Sequence, residues 1–129
     1  IALIAGGVGI APLLGILRQL QLEKDSRPTV LVYGNRVEEQ ITYNDELEAL
    51  AKGHGTQLVH VLSEPSEVWS GSTGIIDAHL IRATFGATEM KCWLYVVCGP
   101  SVMMECVEDA LIDMGVPPNR ILSERFDYD

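Results

Sequence analysis

Short apolar runs alternate along this chain with longer stretches in which apolar residues recur every three or four positions. The runs lie at Ile1–Ala5, Thr29–Tyr33, Gln57–Leu62, Trp93–Cys98 and Arg120–Ser123 and are rich in Val, Ile, Leu and aromatic residues. That is the composition of strands buried on both faces. Helical period marks the stretches between them, with Ile10, Leu13, Leu14 and Leu17 in the first and Leu47, Leu50 and Ala51 in the second. A weaker third helix is predicted from Ile76 to Arg82. In the fourth, Met103, Cys106, Val107, Ala110, Leu111 and Met114 form one stripe, opposite Glu105, Glu108, Asp109 and Asp113, so this helix packs one side on a sheet. Thr42 with Asp45 suits a variant capping box, Gly115 a helix end, and Pro117–Pro118 a stop. Strand alternating with helix predicts a doubly wound α/β domain with a five-stranded parallel sheet, order 3-2-1-4-5, and helices on both faces. The Gly- and Ser-containing loop Ser63–Gly74 is the main interruption, placed where it could border a cleft.

Composition narrows the reading. With 129 residues, 47% of them hydrophobic, the chain is expected to form one domain over residues 1–129 rather than a disordered tail. A net charge of −9 without a Lys/Arg cluster argues against nucleic acid. It does not argue against a small anion held by backbone amides. Cys92, Cys98 and Cys106 form no C-x-x-C pair, which indicates neither a disulfide framework nor zinc and fits a reducing, cytoplasmic setting. Cys92 and Cys106 read as small buried hydrophobes. His54, His60 and His79 show no spacing that converges on a metal. Ile1–Leu17 is uncharged, but Gly6, Gly7, Gly9 and Pro12 interrupt it and it is shorter than the roughly 20 residues of a spanning helix, so no membrane segment is expected. An opening residue other than Met, inside an apolar run, leads us to expect further sequence upstream.

Candidate chemistry gathers at strand ends. Gly6-Gly7-Val8-Gly9-Ile10-Ala11-Pro12 stands where the first strand meets the first helix. Glycines there let the backbone approach a ligand, Pro12 suits a first helical turn, and the free amides suit a pyrophosphate. A tight turn with no ligand is the competing reading. The motif departs from G-x-G-x-x-G because Pro12 takes the third glycine position. Cys98-Gly99-Pro100 followed by Met103 marks the fourth strand end, which in a 3-2-1-4-5 sheet opens on the same crevice as the first. The second strand runs into Tyr33-Gly34-Asn35-Arg36, with Tyr43 beyond, and no carboxylate follows until Glu38. An acid at this place accepts from the ribose 2′-hydroxyl of NADH, whereas Arg accepts a 2′-phosphate. Asn35, Arg36 and Tyr43 are therefore candidates for the adenosine side, leaning towards NADPH. A solvated loop charge is the competing reading of Arg36. No Y-x-x-x-K pair and no G-K-[ST] is present, which removes short-chain dehydrogenases and P-loop phosphotransferases.

GGVGIAP, together with C-G-P-x-x-M at Cys98–Met103, resembles the nucleotide-binding half of the ferredoxin–NADP⁺ reductase superfamily. The terminal Glu124-Arg125-Phe126 resembles that family's E-x-[FY]. Asp127, Tyr128 and Asp129 extend past the point where plant-type members stop. The resemblance implies a flavoprotein reductase in which this domain positions NADPH or NADH for hydride transfer to FAD or FMN. The flavin would sit on an upstream barrel domain whose R-x-Y-[ST] motif has no counterpart here. It implies that Gly6, Gly7, Val8, Gly9, Ile10, Ala11 and Pro12 cradle the pyrophosphate, with Gly99, Pro100 and Met103 shaping the opposite wall. It further implies catalytic positions at Cys98, beside the nicotinamide, at Glu124, near the reacting ring, and at Phe126, over the flavin. The motif set looks most similar to reductases associated with ferric-reductase or NADPH-oxidase-like membrane domains. Oxygenase reductases and soluble flavin reductases stay open, and the electron acceptor is not encoded. A non-catalytic NAD(P)H-binding or regulatory module is the alternative.

Overall fold

The computed structural model describes residues 1–125. The elements run β1 (Ala2–Gly6), α1 (Ile10–Leu22), β2 (Val30–Asn35), α2 (Asn44–His54), β3 (Gln57–Leu62), β4 (Ser72–Thr73), α3 (Ala78–Phe85), β5 (Tyr95–Gly99), α4 (Ser101–Asp113) and β6 (Ile121–Arg125). Short 3-10 turns fill several of the connections. All pairings are parallel, in the order β4-β3-β2-β1-β5-β6. The expected succession is thus present, but the sheet has six strands among the described residues and not five. The extra edge strand β4 lies inside the Ser63–Gly74 loop and pairs Ser72 with Val61 and Thr73 with Leu62. Two exposed polar residues carry no hydrophobic signal, which is why the pattern missed it.

Side-chain alternation splits the core into two layers. Ala2, Ile4, Val30, Val32, Tyr95 and Val97 face α3 and α4, where they meet Ile81, Phe85, Met104, Val107 and Leu111. Leu3, Ala5, Leu31, Tyr33 and Cys98 face α1 and α2, where they meet Leu13, Leu14, Leu17, Leu47 and Leu50. Helices therefore cover both faces, as the buried-strand composition predicts.

Local chemistry corrects several expectations. On α4 the core positions are Met104, Val107, Ala110 and Leu111, while Met103 and Cys106 lie half-buried on the flank. Val107, Ala110 and Leu111 hold the predicted stripe, and Met104 rather than Met103 is its buried residue in the first turn. Cys92 is exposed and Cys106 half-buried, so of the three thiols only Cys98 is a buried hydrophobe. The Thr42–Asp45 capping box does not form. Tyr43 takes the N-cap place of α2 in the left-handed region (φ 59°) without a side-chain cap. Thr42 turns instead to the Tyr33 hydroxyl, which accepts its N–H at 3.2 Å and shares a 3.1 Å hydrogen bond with its Oγ1. The third helix starts at Ala78, because Asp77 caps it by accepting the Leu80 N–H at 2.9 Å. Gly115, at φ +96°, follows α4 as expected of a left-handed helix end. Among the described residues no helix is long and apolar enough to cross a membrane.

Candidate functional site

Three neighbouring strands carry glycine at the same edge of the sheet, as the last residue of β1 and β5 and the last but one of β2. Gly6 of β1 pairs with Gly34 of β2, and the Ala5–Cys98 pairing sets Gly99 of β5 beside Gly6. Each follows a core residue of the α3/α4 face by two positions (Ile4, Val32 and Val97), so all three turn towards that face. With no side chains there, the floor is bare backbone. Other side chains lie across it. A Cβ on Gly6 would come within 2.6 Å of Met103 Sδ, one on Gly99 within 2.6 Å of Met103 Cε, and one on Gly34 within 2.8 Å of Ile76 Cδ1. Above this floor opens a cavity of about 470 Å³, bounded also by Gly7, Asn35, Arg36, Gln40, Pro100 and Cys106. This is the size of a small-molecule site. Ser63 and Gly74, at the two ends of the loop expected to border a cleft, line it as well. Val102 and Ile75, exposed apolar residues, stand at its mouth.

The turn after β1 divides its glycines between two tasks. Gly7 is exposed at φ +55°, with open space where a side chain would be, and it borders the cavity. Gly9 is buried, and a Cβ there would run into the carbonyl of Cys98. Its small size lets the turn rest on β5. The 3-10 turn Gly7–Gly9 leads straight into α1, and no side chain caps it, which leaves its first amides for an anionic ligand.

Polar groups on the wall fit a hydrogen-bonding ligand. The Asn35 Nδ2 group is buried without a hydrogen-bond partner among the described residues, a costly arrangement unless something else supplies an acceptor. Beside it, the Arg36 Nη1 donates to Glu64 Oε2 at 3.0 Å. The Arg36 N–H donates to Gln40 Oε1 at 3.2 Å. The β2–β3 ladder continues past the strands, through Ser63 N–H to Asn35 carbonyl (3.1 Å) and Glu64 N–H to Arg36 carbonyl (2.8 Å). That continuation brings an acid to the end of β2, where the linear sequence offered none before Glu38.

Residues 3–109 match the oxidoreductase NAD-binding domain family. The chain belongs to that family. This NAD-binding domain is 39% identical over 118 residues to the NADPH nitrate reductase of Emericella nidulans, covering 88% of this chain and 13% of that protein. It is 30% identical over 131 residues to NADH-cytochrome b5 reductase 1 of Candida glabrata, covering 98% of this chain and 46% of that protein. Among solved structures, the cytochrome b5 reductase domain of Ulva prolifera nitrate reductase is similar with a TM-score of 0.83 and 27% identity, covering 95% of this chain and 47% of that one. The chain spans less than half the length of each.

Within the NAD-binding domain the residues singled out in the sequence divide into three groups. Gly6, Gly7, Asn35, Arg36, Pro100 and Met103 line the cavity, with Gly99 under Met103. Val8, Gly9, Ile10, Ala11, Pro12 and Tyr43 do not. Ile10 and Gly9 are buried beneath the turn, Pro12 is half-buried in α1, and Val8, Ala11 and Tyr43 are exposed. Cys98 forms the third group with Glu124, its partner across β5 and β6. The Cys98 side chain packs on the α1 face, opposite the cavity. Burial, with a smaller push from the Glu124 charge, raises its thiol to about 11, so it stays protonated at neutral pH. Phe126 lies outside the described residues. Gly34, Ile76, Cys106 and Glu64 were not recognised as site residues. Gly34 obeys the same strand-end logic as Gly6 and Gly99 and was within reach of it, whereas Glu64 stands 28 residues from Arg36 and carries no local signal.

Proposed function

We propose that this domain holds NAD(P)H across the C-terminal ends of β2, β1 and β5 and presents the nicotinamide for hydride transfer to a flavin on another domain. One observation carries the reading: Gly34, Gly6 and Gly7 open on a cavity whose wall also holds Asn35 and Arg36, with the Asn35 Nδ2 group buried and unpartnered among the described residues. The Gly7 amide, at the uncapped turn, suits the pyrophosphate. Met103 and Ile76 offer apolar walls for a flat base, and Asn35 with Arg36 offers donors to the adenosine ribose and a 2′-phosphate. A nicotinamide reaching the other way would meet Gly99 and Pro100, near Cys98 and Glu124. Because the Cys98 thiol is neutral and packed, its contribution there is position and shape rather than charge. The redox chemistry is that of the two cofactors, hydride leaving the nicotinamide for FAD or FMN, while the protein supplies orientation and electrostatics.

Isothermal titration calorimetry of the chain with NADPH and NADH tests this. We expect saturable 1:1 binding of at least one nucleotide, and no reductase turnover without a flavin domain. Absence of binding by both at millimolar concentration would contradict the proposal. For Cys98, the readout is flavin reduction by stopped flow in a protein that carries both domains. Cys98→Ala is expected to slow that step more than it weakens nucleotide binding.

A further inference from the structure

We infer that Glu64 is a specificity-determining residue, whose carboxylate occupies Arg36 and so keeps the site from favouring NADPH strongly over NADH. This rests on the nucleotide reading above and deepens it. Arg36 is the cation on the cavity wall that could meet a 2′-phosphate. Its guanidinium is already engaged, because Nη1 donates to Glu64 Oε2 at 3.0 Å. Backbone geometry fixes this neighbour. The Glu64 N–H donates to the Arg36 carbonyl at 2.8 Å, one step beyond the end of the β2–β3 ladder.

The consequence for selectivity follows from charge. A 2′-phosphate must take Arg36 from the carboxylate and then lie beside an anion left without its partner, an arrangement that like-charge repulsion opposes. A 2′-hydroxyl carries no charge and meets neither obstacle. The pair is open to exchange, since the side chains are 56% and 62% exposed and exposed ion pairs are weak. Arg36 therefore attracts the phosphate and Glu64 offsets the attraction.

Calorimetry with NADPH and NADH on the wild-type chain, Glu64→Gln, Arg36→Ala and the double variant tests the inference. Removing the Glu64 charge is expected to tighten NADPH by about five- to tenfold and to change NADH by less than about twofold. In the Arg36→Ala background the same substitution is expected to change NADPH by less than about twofold, because no guanidinium remains to be freed. The gain should also shrink in about 0.5 M NaCl, as a screened charge effect must. Glu64→Ala, which removes the hydrogen bond as well as the charge, should give the same selectivity shift. If wild type binds and Glu64→Gln moves both nucleotides equally or neither, this inference falls while the site reading stands. A full-sized NADPH gain without Arg36 would overturn it too. If neither nucleotide binds wild type, the site reading falls and takes this inference with it.

Discussion

At the same edge of one sheet, β2, β1 and β5 present two unlike faces. Towards α1 and α2 they show Tyr33, Ala5 and Cys98, all at most 2% exposed, with the Tyr33 hydroxyl tied to Thr42. One residue further along they show Gly34, Gly6 and Gly99 towards α3 and α4, beneath an open cavity. Strand alternation alone separates the faces. The first is filled by side chains and closed by helices, and it stabilises the fold. The second leaves glycine backbone and an exposed ion pair around open space, with an unpartnered amide buried beside it, an arrangement a stable fold has no need of and a ligand can use.

The largest expected effect breaks the closed face. Tyr33→Ala removes a buried ring and should cost about 3–4 kcal/mol of stability in urea unfolding, while nucleotide affinity of the folded protein changes by less than about threefold. On the open face the pattern should invert. Gly99→Val drives a side chain against Met103, which lines the cavity and must shift into it, and we expect a loss of about thirtyfold or more in NADPH affinity, equivalent to about 2 kcal/mol. Its unfolding free energy should fall by less than that of Tyr33→Ala. If Tyr33→Ala abolished binding in folded protein and Gly99→Val spared it, the two faces would have been assigned the wrong way round.

Thiol chemistry sharpens the contrast. Exposed Cys92 should react quickly with a disulfide reagent, whatever ligand is present. Cys106, on the cavity wall, should react more slowly once NADPH is bound. Cys98, raised to about 11, should react last, and only as the protein opens. Peptide mapping after timed labelling reads all three rates. Fast labelling of Cys98 in folded protein would contradict its place in the core.

The smallest effect concerns His60, whose ring lies 5.8 Å from that of Tyr33 and whose two nitrogens are buried without partners among the described residues. Burial lowers its pKa from the ordinary 6.5, against a weaker opposing pull from Glu48. The unfolded chain then binds the proton more readily than the folded one, so this residue makes stability fall as pH drops through and below 6.5. His60→Phe should flatten that part of the pH–stability curve. An unchanged slope would mean that other groups set it.

Much of this was legible from period and punctuation. The four helices, the two apolar layers and the strand succession follow from hydrophobic spacing, and the strand-end glycines of β1 and β5 stand in recognisable motifs. The parts that escaped lack a local signature. Edge strand β4 is two exposed polar residues. Glu64 meets Arg36 only because two strands pair in register, which no window on the sequence reveals. Thr42 abandoned its cap for the Tyr33 hydroxyl, a tertiary partner that local propensity cannot anticipate. The facing of Cys98 was within reach, since neighbouring residues on a strand point oppositely and Gly99 faces the cavity.

The central claim is that a dinucleotide lies on the glycine-ended face of the sheet. Amide chemical-shift mapping of the labelled chain during an NADPH titration tests it directly. The account predicts the largest shifts at Gly6, Gly7, Gly34, Asn35, Gly99 and Met103, with Leu47 and Leu50 of α2 nearly unmoved. Shifts concentrated on the α1 and α2 face, or none at saturating nucleotide, would contradict it.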